Sequence, residues 1–191
     1  MINAGAYLLA GGKSSRMGED KGLMQFKGKQ LAEYAIRVLS SVFPKIVIVT
    51  GNICYEGLGV EIINDRISNK GPAGGIHSAL FHSAYEKNFI TACDMPFITS
   101  SAVRYIIERS AEAEITVPVF DGRMQPLFGV YDTSCLAKWE ELVAGGINKI
   151  ETLVTFFDCK LVDVDSCEFF NEKIFANMNS PTDIKKVNRE I

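Results

Sequence analysis

The sequence predicts an α/β fold in three layers: a mostly parallel, twisted sheet with helices on both faces. Three observations predict it. Short apolar and β-branched runs alternate along the chain with stretches of helical spacing. Clusters of Gly, Pro, Asp and Asn fall between them. With 191 residues, 47% hydrophobic and 23% charged, the chain suits one globular domain over 1–191 with a full core.

Taken in order, residues 5–10 are short and apolar, as a buried parallel strand is, and 11–21 form a polar loop. Over 31–42, Leu31, Tyr34, Ala35, Val38, Leu39 and Val42 fall at helical spacing. The run 45–50 (KIVIVT) is β-branched and reads as a second strand, with a third over 60–64. A Gly/Pro loop over 71–75 opens a helix expected over 76–85. A fourth strand over 88–93 ends at Asp94, and Ser100 or Ser101 is expected to cap a helix reaching Arg109. Residues 115–120 and 126–131 flank the turn Asp121-Gly122 and read as a hairpin arm. Thr133 or Ser134 is expected to cap a helix carrying Leu136, Trp139, Leu142 and Val143. A late strand covers 159–164, and Asn179-Ser180-Pro181 opens a last helix with Pro181 in its first turn.

Composition removes several function classes. The net charge of −3 gives no bulk attraction for nucleic acid. The chain holds no apolar run of about eighteen residues, so no membrane span is expected. The short apolar stretch 4–10 lacks a basic leader, so no secretory signal is expected either. The five cysteines are odd in number and contain no C-x-x-C pair. Reduced thiols in the cytoplasm are the expectation, with neither a disulfide framework nor a structural zinc site.

In such a sheet, ligands bind beyond the carboxyl ends of the strands. The loops at 11–21, 65–75 and 94–97 all follow strands and are expected to meet at one rim. The first loop carries Gly11 and Gly12, whose backbone N–H groups can approach a phosphate closely, followed by the cations Arg16 and Lys21. Two familiar phosphate loops are excluded. A Walker A loop would need glycine where Tyr7 stands, and no G-x-G-x-x-G occurs in the loop. Asp94 is a strand-end carboxylate placed to offer a hard oxygen ligand to Mg²⁺; a turn or helix-capping role is the alternative. Asp65 ends the third strand in the same manner. Two such carboxylates beside a cationic loop fit phosphoryl chemistry better than one alone. Gly71 and Gly74 would let a flat base or ribose lie against the backbone, although a plain loop-to-helix turn accounts for them equally. His77 and His82 stand at i, i+5 and are read as packed or surface residues. Cys93 is read as a buried strand residue and not a nucleophile.

Leu9-Ala10-Gly11-Gly12 with Arg16-Met17-Gly18 and Asp20-Lys21 resembles the first signature of the molybdenum cofactor guanylyltransferases. The resemblance continues through Gly71-Pro72-Ala73-Gly74-Gly75, Cys93-Asp94-Met95-Pro96-Phe97, Gln125-Pro126-Leu127 and Asn177-Met178-Asn179-Ser180-Pro181-Thr182-Asp183. It implies a Rossmann-like sandwich of the nucleotide-diphospho-sugar transferase type. It also implies a reaction in which GMP passes from GTP to molybdenum-molybdopterin with release of pyrophosphate. By motif match, Leu9, Ala10, Gly11, Gly12, Lys21 and Asp65 would hold the nucleotide. Asp94 would bind nucleotide and Mg²⁺, Arg16 would face the phosphates, and Asn177 and Asn179 would line the pterin side. Ala73 stands where the family often has Leu, which leaves base selectivity open. Such an enzyme acts on small molecules and meets cofactor-biosynthesis proteins or molybdoenzyme chaperones only transiently. A cytidylyltransferase acting on the same cofactor or on a sugar or alditol phosphate, and a nonenzymatic carrier of finished cofactor, are the competing readings.

Overall fold

The computed structural model describes residues 1–11, 20–178, 180 and 183. Gly12, Arg16, Asn179 and Pro181 lie outside the described residues, as does the helix expected after Pro181 except for Asp183.

The architecture is the expected α/β sandwich with a mostly parallel sheet. Strands β1 (Gly5–Leu9), β4 (Ile46–Val49), β5 (Glu61–Ile63) and β6 (Lys87–Ala92) form a contiguous parallel block. Strand β9 (Phe128–Asp132) runs antiparallel between β6 and β7 (Ile115–Phe120), and β10 (Cys159–Asp163) closes the edge parallel to β7. The order is β10-β7-β9-β6-β1-β4-β5, with β8 (Arg123–Met124) hydrogen-bonded to β7. The Asp121-Gly122 turn therefore joins β7 to the short β8. The second expected hairpin arm, β9, does pair antiparallel with β7 and on its other edge joins β6.

The alternation of β1 explains the layers. Ala6 and Leu8 face one side, with Ala32, Ala35 and Leu39 of α1 (Leu31–Ser40) and Val103 and Ile106 of α3 (Ser100–Ile107). Tyr7 and Leu9 face the other, with Ile76 and Leu80 of α2 (Pro72–His82) and Trp139 and Val143 of α4 (Leu136–Ala144). The Trp139 indole is fully buried and donates to the Ala73 carbonyl at 3.0 Å, so α4 is pinned to the first turn of α2. A smaller cluster joins Phe26 and Leu31 to Met178; Phe26 belongs to the hairpin of β2 (Gln25–Phe26) and β3 (Lys29–Gln30). Among the described residues, no helix is long and apolar enough to cross a membrane.

Three helix starts differ from expectation. Helix α2 begins at Pro72 and not at residue 76, because proline supplies the φ of a first helical position and Gly74 and Gly75 continue as helix. Thr99, not Ser100 or Ser101, caps α3, its side chain accepting from the Ala102 N–H at 3.2 Å. Asp132 takes the cap expected of Thr133 or Ser134, accepting from the Ser134 N–H at 2.8 Å. A 3-10 turn, Thr133–Cys135, separates it from α4. In each pair the earlier side chain reaches the exposed N–H groups first.

Candidate active site

The chain runs from β1 outward to β4 and β5, then returns to β6 on the other flank of β1. That reversal makes the carboxyl end of β1 a topological switch point, where open sheets of this kind bind ligands. Backbone bonds lace the rim there. Ala10 donates to Val49 at 3.0 Å, Thr50 to Ile63 at 2.8 Å, and Cys93 to Leu9 at 3.0 Å. The expected loops therefore leave from one rim. Leu9 and Ala10 are buried in it, and Gly11 is exposed just beyond.

Lys21 and Asp94 meet across this rim, with Nζ 3.8 Å from Oδ2. Their side chains are 29% and 14% exposed, so the pair is partly withdrawn from water but open to a ligand. Burial pushes the Asp94 carboxyl above the usual carboxylate range, and the Lys21 ammonium pulls the other way. Asp65 lies two residues past the end of β5 and keeps solvent access; burial around its carboxyl nudges it upward, with the Ser78 hydroxyl opposing.

The residues 71–75 divide in two. Gly71 caps α2 and is exposed. Gly74 is buried: a Cβ there would stand 2.6 Å from the Ile67 carbonyl oxygen, so its bareness serves the packing of the loop after β5. The Ser78 hydroxyl ties the same corner together, donating to the Gly74 carbonyl at 2.9 Å and accepting from the Arg66 N–H at 2.9 Å.

Next to Asp94 in sequence, Met95 lines a cleft of about 350 Å³, together with Pro72, Gln125, Pro126, Lys149 and Asn177, among others. Met178 donates its N–H to the Asp94 carbonyl at 2.9 Å, and its side chain is buried against Phe26 and Leu31. This contact carries Asn177 to the rim although 83 residues separate it from Asp94 in sequence. Past Asn179, Ser180 accepts from the Asp183 N–H at 3.3 Å and donates to its carboxylate at 2.9 Å, the pattern of a helix N-cap.

The histidines do not meet in a common site. His77 is buried facing Glu140, with Nε2 3.8 Å from its carboxylate, and burial lowers its pKa. His82 bonds Tyr7 at 3.2 Å and Glu61 at 2.9 Å. Cys93 is buried and its thiol is pushed up to about 12, which suits packing and not nucleophilic attack. Two features escaped the sequence reading. Lys149 adds a cation to the cleft, and Asp20 is gripped by Tyr55 and Asn52 just before Lys21. Lys149 carried no motif, and the grip on Asp20 joins segments more than thirty residues apart.

A family model described as the MobA-like NTP transferase domain matches residues 6–156. The chain is 35% identical over 193 residues to a protein of Pelotomaculum thermopropionicum named a probable molybdenum cofactor guanylyltransferase, covering 97% of this chain and 92% of that one. A protein of the same name from Flavobacterium johnsoniae is 32% identical, with 95% of each chain covered. Among solved structures, molybdopterin-guanine dinucleotide biosynthesis protein A of Archaeoglobus fulgidus superposes with a TM-score of 0.80 at 25% identity, covering 98% of this chain and 100% of that one.

Proposed function

The chain belongs to the MobA-like NTP transferase family, and we propose that it transfers GMP from GTP to molybdenum-molybdopterin, releasing pyrophosphate. The names of its relatives support the two substrates. The observation that carries the reading is the arrangement about Asp94. A Lys–carboxylate pair stands at the switch point, and the residue after Asp94, Met95, lines a cleft shared with Lys149 and Asn177. A transferase joining a triphosphate to a second phosphorylated ligand needs those two compartments to meet at one charged centre.

The reaction asks little proton chemistry of the protein. An oxygen of the acceptor's terminal phosphate, already ionised at neutral pH, attacks the α-phosphorus of GTP. The bond from that phosphorus to the β-phosphate oxygen breaks, and pyrophosphate leaves. No activated histidine is needed, in keeping with the separate structural surroundings of His77 and His82. The chain's own task is alignment and charge neutralisation. Leu9, Ala10, Gly11, Gly12 and Gly71 would frame the nucleotide, Asp65 and Gly74 would support its second loop, and Lys21 and Arg16 would face the phosphates. Asn177 and Asn179 would supply the amide donors and acceptors that a pterin's edge pairs with.

Asp94 would hold Mg²⁺. Among the described residues, no group of three or more His, Cys, Asp or Glu could cage a metal. One partly withdrawn carboxylate nevertheless fits this ion, which keeps waters and takes substrate phosphates as its other ligands. When bound, it neutralises charge developing on the leaving pyrophosphate. The reaction belongs in the cytoplasm, where the product would pass to cofactor-biosynthesis proteins or molybdoenzyme chaperones.

Pyrophosphate release tests this directly. The purified protein is mixed with molybdenum-molybdopterin, Mg²⁺ and each of GTP, CTP, ATP and UTP. Release with GTP, dependent on the acceptor, is expected. Turnover with CTP in preference to GTP would transfer the protein to cytidylyl chemistry, and binding without release would make it a carrier.

A further inference from the structure

One phenol ties together the two chain segments that carry Lys21 and Asp94. Tyr55 is fully buried, and its hydroxyl donates to Oδ1 of Asp20, the residue before Lys21. The Tyr55 hydroxyl oxygen itself lies 3.9 Å from Sγ of Cys93, the residue before Asp94. Asp20 is held from two further directions, by the Gly22 N–H at 3.2 Å on Oδ1 and by Asn52 Nδ2 at 3.1 Å on Oδ2. Asn52 is itself fixed, accepting from the Cys54 N–H at 3.0 Å at the start of the 3-10 turn Ile53–Leu58 that carries Tyr55. The fit has no slack: a Cβ on Gly22 would lie 2.2 Å from Tyr55 Oη and 2.9 Å from Cys93 Sγ.

We infer that Tyr55 is a positioning residue for nucleotidyl transfer, setting the separation of Lys21 from Asp94 through Asp20 on one side and Cys93 on the other. The inference rests on the proposal that Lys21 and Asp94 are the charged pair of the reaction. The phenol's single proton goes to the carboxylate, the stronger acceptor, which leaves its lone pairs toward the Cys93 thiol. Burial raises the phenol well above its ordinary range and the thiol to about 12, so both stay protonated throughout neutral pH. A charge-assisted bond of this kind fixes direction as well as distance, which an apolar ring of the same shape cannot do. Tyr55 acts through its neighbours and is given no contact with substrate.

The test is a double-mutant cycle between Tyr55→Phe and Lys21→Ala, read as kcat and KM for GTP with melting curves alongside. Tyr55→Phe alone is expected to lower kcat about tenfold while KM stays within about twofold. In the Lys21→Ala background the same change is expected to cost less than about twofold, since the group it positions is gone. A wild-type kcat for Tyr55→Phe, or equal losses in both backgrounds, overturns the inference and reduces Tyr55 to a core residue. If Tyr55→Phe fails to fold, Asn52→Ala decides. It frees Oδ2 of Asp20 and uncaps the 3-10 turn carrying Tyr55, both parts of the same grip, at a half-exposed position, and its loss of kcat must likewise vanish in the Lys21→Ala background. Full turnover by Lys21→Ala alone would remove the charged pair and the positioning role with it. A failure confined to Tyr55→Phe and Asn52→Ala leaves the pair standing.

Discussion

Lys21→Ala deletes a charge that lies 3.8 Å from Oδ2 of Asp94. At that separation a pair of unit charges is worth about 1 kcal/mol under water-like screening and about 4 kcal/mol at an effective dielectric of about 20. With side chains 29% and 14% exposed, the pair falls between these limits. The same ammonium, turned to a triphosphate in a withdrawn site, stabilises the transition state by a comparable amount, roughly 2–4 kcal/mol. That converts to a fall in kcat of about 30- to 1,000-fold. The assay is pyrophosphate release at saturating GTP, Mg²⁺ and acceptor, with a melting curve to show that the variant is folded. Lys21→Arg is expected to recover only part of the rate, because its planar fork is larger and differently hydrated. A wild-type kcat for Lys21→Ala would refute the reasoning, since a charge that faced the phosphates could not be lost without cost.

Three further outcomes are expected. Asp94→Asn abolishes turnover yet melts no lower than wild type at neutral pH. Burial holds the folded carboxyl above its unfolded pKa, so its favourable contribution is complete only below the unfolded value of about 4 and is lost as pH rises through the folded one. The variant's advantage therefore closes on acidification, and a melting series from acid to neutral pH that showed the opposite slope would contradict this. Gly74→Ala is expected to cost roughly 1–3 kcal/mol, because the Ile67 oxygen at 2.6 Å is backbone and cannot swing aside; an unchanged midpoint in denaturant would show that the loop yields. Asn177→Ala combined with Asn179→Ala weakens acceptor binding and leaves GTP affinity nearly unchanged by calorimetry. Equal losses for both ligands would argue against separate compartments.

Most of the fold was legible because one periodicity switches to the other cleanly. Residues 45–50 are β-branched and 31–42 are helically spaced, so strand and helix were placed to within a few residues. The strand-end rule then located the rim, and the structure brings Lys21 and Asp94 together there. The antiparallel pairing of β9 with β7 follows from the turn between them, but its place beside β6 was not legible, since a run such as 126–131 has the same pattern at an edge or inside a sheet. Gly74 looked like a ligand surface because sequence cannot show the carbonyl that occupies its missing Cβ. The grip on Asp20 was hidden for a similar reason. Tyr55 sits on a 3-10 turn too short to carry a period and lies outside every motif, although its partners Asp20 and Cys93 lie within two of them.

The hydrogen bond from Met178 to Asp94 has a consequence for how the molecule is made. The parallel block at whose rim Lys21 and Asp94 meet, β1, β4, β5 and β6, is complete by Ala92. The cleft draws mostly on later residues, among them Gln125, Lys149 and Asn177. During synthesis from the N-terminus, that block is therefore encoded before most of the cleft has been translated, although Pro72, which also lines the cleft, precedes its last strand. Met178 must then close an interval of 84 residues back onto Asp94, a contact whose entropic cost is met only once the late strands have docked. The Met178–Asp94 joint is thus among the last parts to form, and a partly made chain lacks the bond that brings Asn177 to the rim.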